Sequence, residues 1–152
     1  MGYVLGNISL RNLDGVHPDL VRVVRAAIGK SGQDFRVNEG VRSREQQMEN
    51  VAKGVSKTMH SKHLIQSDGY GHAVDLVPWL GGRMRWEWPL IYPIARAMRE
   101  VGREMGVRLV WGGVWDQVLN DLSGDPIMEV ARYTSRHPGP DFLDGPHYEL
   151  AK

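Results

Sequence analysis

The chain has 152 residues, with 19 lysines and arginines against 18 aspartates and glutamates, and it contains no cysteine. That length suits one domain built on one core, without room for a second unit, so residues 1–152 are expected to form a single module. The near-balanced charge, with no basic cluster interleaved with aromatics, argues against a nucleic-acid partner, and the lack of cysteine leaves only His, Asp or Glu to hold a metal.

The first ten residues lack the basic start and continuous apolar core of a secretory signal. No later run approaches the roughly 20 apolar residues of a membrane span, so synthesis in the cytoplasm without membrane insertion is expected. Pro18 and Asp19 open a helix that carries Leu20, Val23, Val24 and Ala27 on one face and stops before Gly29. His17, with no paired donor beside it, reads as a loop or capping residue. Phe35 to Val41 alternates as a strand, and Ser43-Arg44-Glu45-Gln46 has the form of a capping box starting a helix to about Lys53. Arg42 stands at the junction. There it either pairs with Glu39 or Glu45, or offers its planar donors to a substrate carboxylate or a developing oxyanion.

Gly54 to His60 is a polar, glycine-punctuated loop leading to Ser61-Lys62-His63. Gln66 to Tyr70 is turn-like and predicts a flap, with Asp68 as a solvated turn residue. The run His72-Ala73-Val74-Asp75-Leu76-Val77-Pro78 reads as a short buried strand. An unpaired carboxylate in such a strand costs several kcal/mol or neutralises, so Asp75 implies a cation beside it. His60, His63 and His72 are the nearby histidines, and His72 lies an odd number of positions from Asp75, which on a regular strand turns it to the other face.

Gly81-Gly82 makes a turn before a long helix, Leu90 to Met105, ended by Gly106. Ile91, Ile94, Ala95, Met98, Val101 and Met105 repeat there as a core stripe, and Pro93 falls within about the first turn. Val107 to Trp111 predicts a strand, with Gly112-Gly113 turning the backbone after it. Trp111 and Trp115 either close the core or line a groove. Pro126 to Thr134 predicts a helix, and His137 lies in a proline-rich, solvated loop. Pro146 to Leu150 is a last strand with His147 and Glu149 on one face and Tyr148 on the other. The elements together predict an α+β fold, a small and mainly antiparallel sheet with about three packed helices.

His63, Asp75 and His147 would supply two imidazole nitrogens and one carboxylate oxygen, a set that fits tetrahedral Zn²⁺ with the fourth position open to water. Asp144 precedes His147 by three residues, close enough to act as a general base. There is no H-E-x-x-H helix, which excludes a thermolysin-type protease.

Ser61-x-His63, Gly71-x-Ala73-x-Asp75 and Asp144-x-x-His147 resemble, in order, the SxHxxGxAxD and (D/E)xxH signatures of zinc peptidases that cut peptidoglycan peptides. These include D-alanyl-D-alanine carboxypeptidases, vancomycin-resistance dipeptidases and, most similar, phage endolysins of the L-alanyl-D-glutamate endopeptidase type. The likeness extends through Phe35 to Ser43, Ile65 to Pro78, and Trp111-Gly112-Gly113 to the final strand, nearly the whole chain. It implies a hedgehog/D-Ala-D-Ala peptidase-like fold. It also implies Zn²⁺ held by His63, Asp75 and His147, with His60 and His72 as rivals of His63, and Asp144 as catalytic base. Arg42 would sit near the scissile carbonyl and Ser61 in the substrate groove.

The implied substrate is the peptidoglycan stem peptide, and the implied outcome is bacterial lysis by a monomeric catalytic module. Such a module is made in the host cytoplasm and reaches the wall through a separate membrane-permeabilising protein. Two alternatives remain: a D-alanyl-D-alanine carboxypeptidase or dipeptidase using the same centre, and a non-catalytic zinc-containing module that grips cell-wall peptide with its tryptophans. The sequence departs from the family pattern at two places. Seven residues, not two, separate His63 from Gly71, and Val114 stands where related endolysins often carry an acid, whose function is then either missing here or supplied by Asp116.

Overall fold

A computed structural model describes residues 2–54, 61–137, 139 and 142–152. It contains a six-stranded sheet in which every pairing is antiparallel. The strands are β1 (Phe35–Glu39), β2 (Ala73–Leu80), β3 (Arg83–Met84), β4 (Leu109–Gly112), β5 (Val114–Val118) and β6 (Asp144–Leu150), in the spatial order β1-β2-β6-β4-β5 with β3 on β2. The α+β expectation holds. β6 starts at Asp144, two residues earlier than the sequence predicts, so the expected base and ligand share one strand.

Five helices accompany the sheet: α1 (Asn7–Asn12), α2 (Pro18–Lys30), α3 (Arg44–Ala52), α4 (Trp88–Met105) and α5 (Pro126–Arg136). His17 caps α2, its Nδ1 accepting the Asp19 amide at 3.0 Å. α2 runs through Gly29 to Lys30, two residues past the expected stop. The Ser43 capping box is present in full, which fixes the start of α3 one residue after Arg42's neighbour. Pro93 falls in the second turn of α4, not the first, because the helix already begins at Trp88. α1 carries no capping side chain and six residues only, so its sequence gives little signal. It is held by tertiary contacts instead: Ser9 Oγ accepts the Val37 amide at 3.0 Å, and Asn12 donates to the Val37 carbonyl at 2.8 Å.

The core lies between the sheet and the stripes of α2 and α4. Leu20, Val23, Val24 and Ala27 meet Ile91, Ile94, Ala95, Met98 and Val101, and the sheet contributes Val37, Leu76, Leu109, Trp111 and Tyr148. Each such fully buried aliphatic side chain stabilises the fold by about 1.5–3 kcal/mol. Met105 is the exception to the predicted stripe, being exposed at the helix end. Trp111 is wholly buried, donates its indole N–H to the Gly145 carbonyl at 2.7 Å and stacks on Tyr148, which resolves its alternatives in favour of the core. One face of the sheet is thereby sealed, and the other is left for polar chemistry. Among the described residues, no helix is long and apolar enough to cross a membrane.

Candidate metal centre

Register places the polar row. In the antiparallel β2–β6 pair Asp75 stands opposite His147, and in β1–β2 Glu39 stands opposite Asp75, so the three side chains share one face. His63 arrives from outside the sheet. Its backbone is clamped on both sides: its carbonyl accepts the Arg42 amide at 2.9 Å, and the preceding Lys62 carbonyl accepts the His72 amide at 2.7 Å. Ser61 Oγ accepts the His63 amide at 3.1 Å. The seven-residue spacer is absorbed as a small hairpin, with Ile65 bridged to Gly71 and the Gln66 amide donating to Tyr70 at 2.8 Å. The extra residues loop outward, so the departure from the family spacing leaves His63 in place.

His63, Asp75 and His147 form a group whose ligand atoms all lie within 4.8 Å of one another and that could hold a metal ion. His63 Nε2 lies 3.1 Å from Asp75 Oδ1, and His147 Nδ1 lies 3.4 Å from the same oxygen. Both imidazoles are anchored by their other nitrogen. His63 Nδ1 is 2.7 Å from the Gly40 carbonyl, and His147 Nε2 is 2.8 Å from Glu149 Oε1. A carbonyl and a carboxylate only accept, so those two nitrogens carry the protons and the lone pairs of His63 Nε2 and His147 Nδ1 face Asp75. Three acceptors then converge on one point. Without a positive charge there, this arrangement repels itself, and the donor set of two nitrogens and an oxygen with oriented outer partners is what a divalent ion requires.

The proton affinities agree. Burial by itself would push Asp75 up, but the charges and hydrogen bonds of His63 and His147 hold it well below the ordinary carboxylate range. Burial would push His147 down, and the hydrogen bonds it donates to Asp75 and Glu149 override it and raise the imidazole to about 10. A proton thus takes the cation's place between the two residues when no metal is bound.

Asp144 sits at the head of β6 beside this group. Burial raises its proton affinity, and the negative charge of Asp75 raises it further. Opposite it stands Gly112, and a Cβ there would lie 2.0 Å from the Asp144 carbonyl oxygen, so only glycine lets β4 come this close. Arg42 is nearly buried. Its guanidinium donates to Glu39 and to Gln47, so the surface pairing anticipated with Glu39 is present, while the alternative with Glu45 is replaced by the fully buried Gln47. Its charge still reaches Asp144, whose proton affinity it lowers. Trp115 packs its ring against His147 at 5.2 Å and donates to the Phe142 carbonyl at 2.6 Å, which puts it at the site and not in the deep core.

The rival residues fall elsewhere. His72 points away from Asp75 and bonds Asp68 at 2.7 Å, with His17 packed edge-on at 5.4 Å. Asp68 is the exposed turn residue expected from the sequence, paired in addition with His72, whose hydrogen bond chiefly lowers its proton affinity. His137 stacks on Tyr133 at 5.0 Å instead of lying free in solvent. Val114 is core, and Asp116 makes a two-armed pair with Arg136 at 2.8 Å, so it supplies no carboxylate to the group. His60 lies outside the described residues.

Three functional partners escaped the sequence reading. Glu149 was on the correct face of its strand but was given no role; its i+2 spacing from His147 was the available signal. Gln47 carried no signal beyond its place in a helix, and the Gly40 carbonyl is backbone, invisible to any reading of residue types. A Cβ on Gly40 would come within 2.0 Å of the Asn12 carbonyl, so glycine is needed for the chain to deliver that carbonyl to His63.

The model of the family "Phage L-alanyl-D-glutamate peptidase" matches residues 1–151. The chain belongs to that family. Among its curated relatives, the L-alanyl-D-glutamate peptidase of Escherichia phage T5 is 30% identical over 154 residues, covering 99% of both chains. The L-alanyl-D-glutamate peptidase of Listeria phage A118 is 32% identical over 91 residues, covering 60% of this chain but 30% of that protein. The crystal structure of the Serratia marcescens L-Ala D-Glu endopeptidase ChiX superposes with a TM-score of 0.73 at 38% identity, covering 97% of this chain and 90% of that one. Family membership thus spans the whole sheet, including every residue of the acceptor group.

Proposed function

We propose that this protein is a zinc peptidase that hydrolyses the L-alanyl-D-glutamate bond of the peptidoglycan stem peptide and so lyses bacteria. The observation that carries the reading is the convergence of His63 Nε2, Asp75 Oδ1 and His147 Nδ1 on one point, with both imidazoles oriented from behind. Zinc suits two imidazoles and a carboxylate, and when bound it supplies Lewis-acid polarisation of the scissile carbonyl and acidifies the attacking water.

The chain's own residues do the rest. Asp144, whose burial and proximity to Asp75 raise its appetite for a proton, takes one from the attacking water and returns it to the leaving D-glutamyl nitrogen. Arg42, held rigid by Glu39 and Gln47, faces the charge that develops on the carbonyl oxygen. Ser61 orders the turn that carries His63 and borders the groove beside Arg42. No covalent intermediate is needed. In this proposal the chain acts as one catalytic module, made in the host cytoplasm and reaching the wall once a separate protein has permeabilised the membrane.

Digestion of purified peptidoglycan followed by mass spectrometry of the new termini tests the activity. New D-glutamyl amino groups, matched by new L-alanyl carboxyl groups, are the expected products. Released D-alanine without any new D-glutamyl amine would instead assign the chain to D-alanyl-D-alanine hydrolysis.

A further inference from the structure

Beside the acceptor group lies a cavity of about 590 Å³ whose wall includes Arg42, Arg44, Ser61, Lys62 and Gln66. Among the described residues that line it, three are cations and none is a carboxylate. Arg42 is neutralised by Glu39, but the side chains of Arg44 and Lys62 make no hydrogen bond or ion pair with any described residue. Glu45, next to Arg44, does not line the cavity; adjacent helical positions point in different directions. Arg44 is exposed in the first turn of α3, and Lys62 is half-buried between Ser61 and the ligand His63. Two positive charges without a described partner therefore border a hollow of mixed lining, in which Val41, Leu64 and Ile65 stand beside the polar groups, joined to the site through Arg42 and Ser61, an arrangement that attracts an anion with an aliphatic stem.

The peptide proposed above brings one. A D-glutamyl residue has two carboxyl groups, of which one continues the chain and the other stays a free carboxylate, a few bonds from the scissile amide. We propose that Arg44 and Lys62 form a subsite for this free carboxylate, so that the enzyme selects stem peptides in which it is ionised over those in which it is amidated. The inference rests on the L-alanyl-D-glutamate reading and names two specificity-determining residues for it. Arg44 contributes a planar, two-pronged donor and Lys62 a mobile point charge, which together tolerate a carboxylate and lose both charge-assisted bonds with a neutral amide.

The test uses two L-alanyl-D-glutamyl peptides of equal length, one with the free carboxylate and one with it converted to a primary amide. The zinc-loaded protein is expected to cleave the acid with a kcat/KM about tenfold above the amide, and the Arg44→Gln/Lys62→Gln variant to narrow the ratio to about twofold. The narrowing should come through KM and should weaken with added salt in the unsubstituted protein. Arg108→Gln, which removes a remote surface cation paired with Asp121, should keep the tenfold ratio and so controls for net charge. Equal cleavage of both peptides by the unsubstituted protein, or an unchanged ratio in the double variant, overturns the subsite while leaving the peptidase reading intact. Cleavage of neither peptide at the alanyl-glutamyl bond overturns the peptidase reading itself, and the subsite with it.

Discussion

Replacing Gly112 with alanine probes how tightly the sheet geometry is tied to the site. The added Cβ would lie 2.0 Å from the Asp144 carbonyl oxygen, 2.9 Å from its carbonyl carbon and 3.1 Å from its Cβ. Ordinary contact starts at 3.4 Å, so β4 and the head of β6 must part by about 1.4 Å, and the two nearest of the three obstacles are backbone, which cannot rotate away. Overpacking of this kind costs about 1–3 kcal/mol. At about 2–4 °C per kcal/mol for a chain of this size, the thermal midpoint should fall by roughly 2–12 °C. The displaced residue is the proposed base, and a misplacement of about 1 Å lowers turnover on the order of 100-fold. Scanning calorimetry and lysis of outer-membrane-permeabilised cells read the two effects on one preparation. Gly29→Ala is the matched control: it sits inside α2 with nothing within 4 Å of the added methyl, and should be neutral or stabilising by up to about 1 kcal/mol. A Gly112→Ala protein that melts and lyses like the Gly29→Ala protein would refute the argument that β4 must approach Asp144 so closely.

Asp144→Ala should lower kcat/KM by about 100- to 10,000-fold while zinc content, measured by elemental analysis, stays at the unsubstituted level; unchanged lysis would remove Asp144 from the mechanism. Glu149→Gln weakens the partner that orients His147, and should loosen zinc affinity about 10- to 100-fold in a competition titration against a chelator. The metal-free protein should show a defined pH dependence. His147 is raised from 6.5 to about 10, so its contribution to stability is complete below about pH 6.5 and is lost as pH rises through about 10. Asp75 is lowered from 3.8, so its contribution is present above that value and is lost as pH falls below it. The melting temperature of the chelated protein should therefore decline from pH 7 to 10, and His147→Gln should flatten that slope; a decline identical in both proteins would assign it to other groups. Because metal must displace the His147 proton, zinc affinity should rise over the same interval.

Much of this site was legible because strand period and register act together. Asp75 in an apolar run, and His147 on the same side of a last strand as Glu149, could each be assigned a face by alternation alone, and the antiparallel pairing of β2 with β6 then set them across from each other. α2 and α4 were readable from their apolar stripes and proline starts, and α3 from its serine capping box. What local pattern could not give was position set by the rest of the molecule. α1 is too short to announce itself and exists because Ser9 and Asn12 bond β1. β5 carries buried residues at only one end, so its alternation is faint. Arg42's partner Gln47 depends on where α3 docks, and the role of the Gly40 carbonyl depends on how β1 ends. The hairpin that absorbs the extra residues before Gly71 likewise shows itself only in backbone pairing.

The central claim is that His63, Asp75 and His147 jointly hold one divalent ion, and zinc titration of the metal-free protein with a chelating reporter tests it most directly. One zinc per chain is predicted for the unsubstituted protein, with binding lost in His63→Ala and in Asp75→Asn and retained in His72→Ala, whose imidazole pairs with Asp68 instead. No stoichiometric binding by the unsubstituted chain, or undiminished binding when His63 or Asp75 is removed, would contradict it.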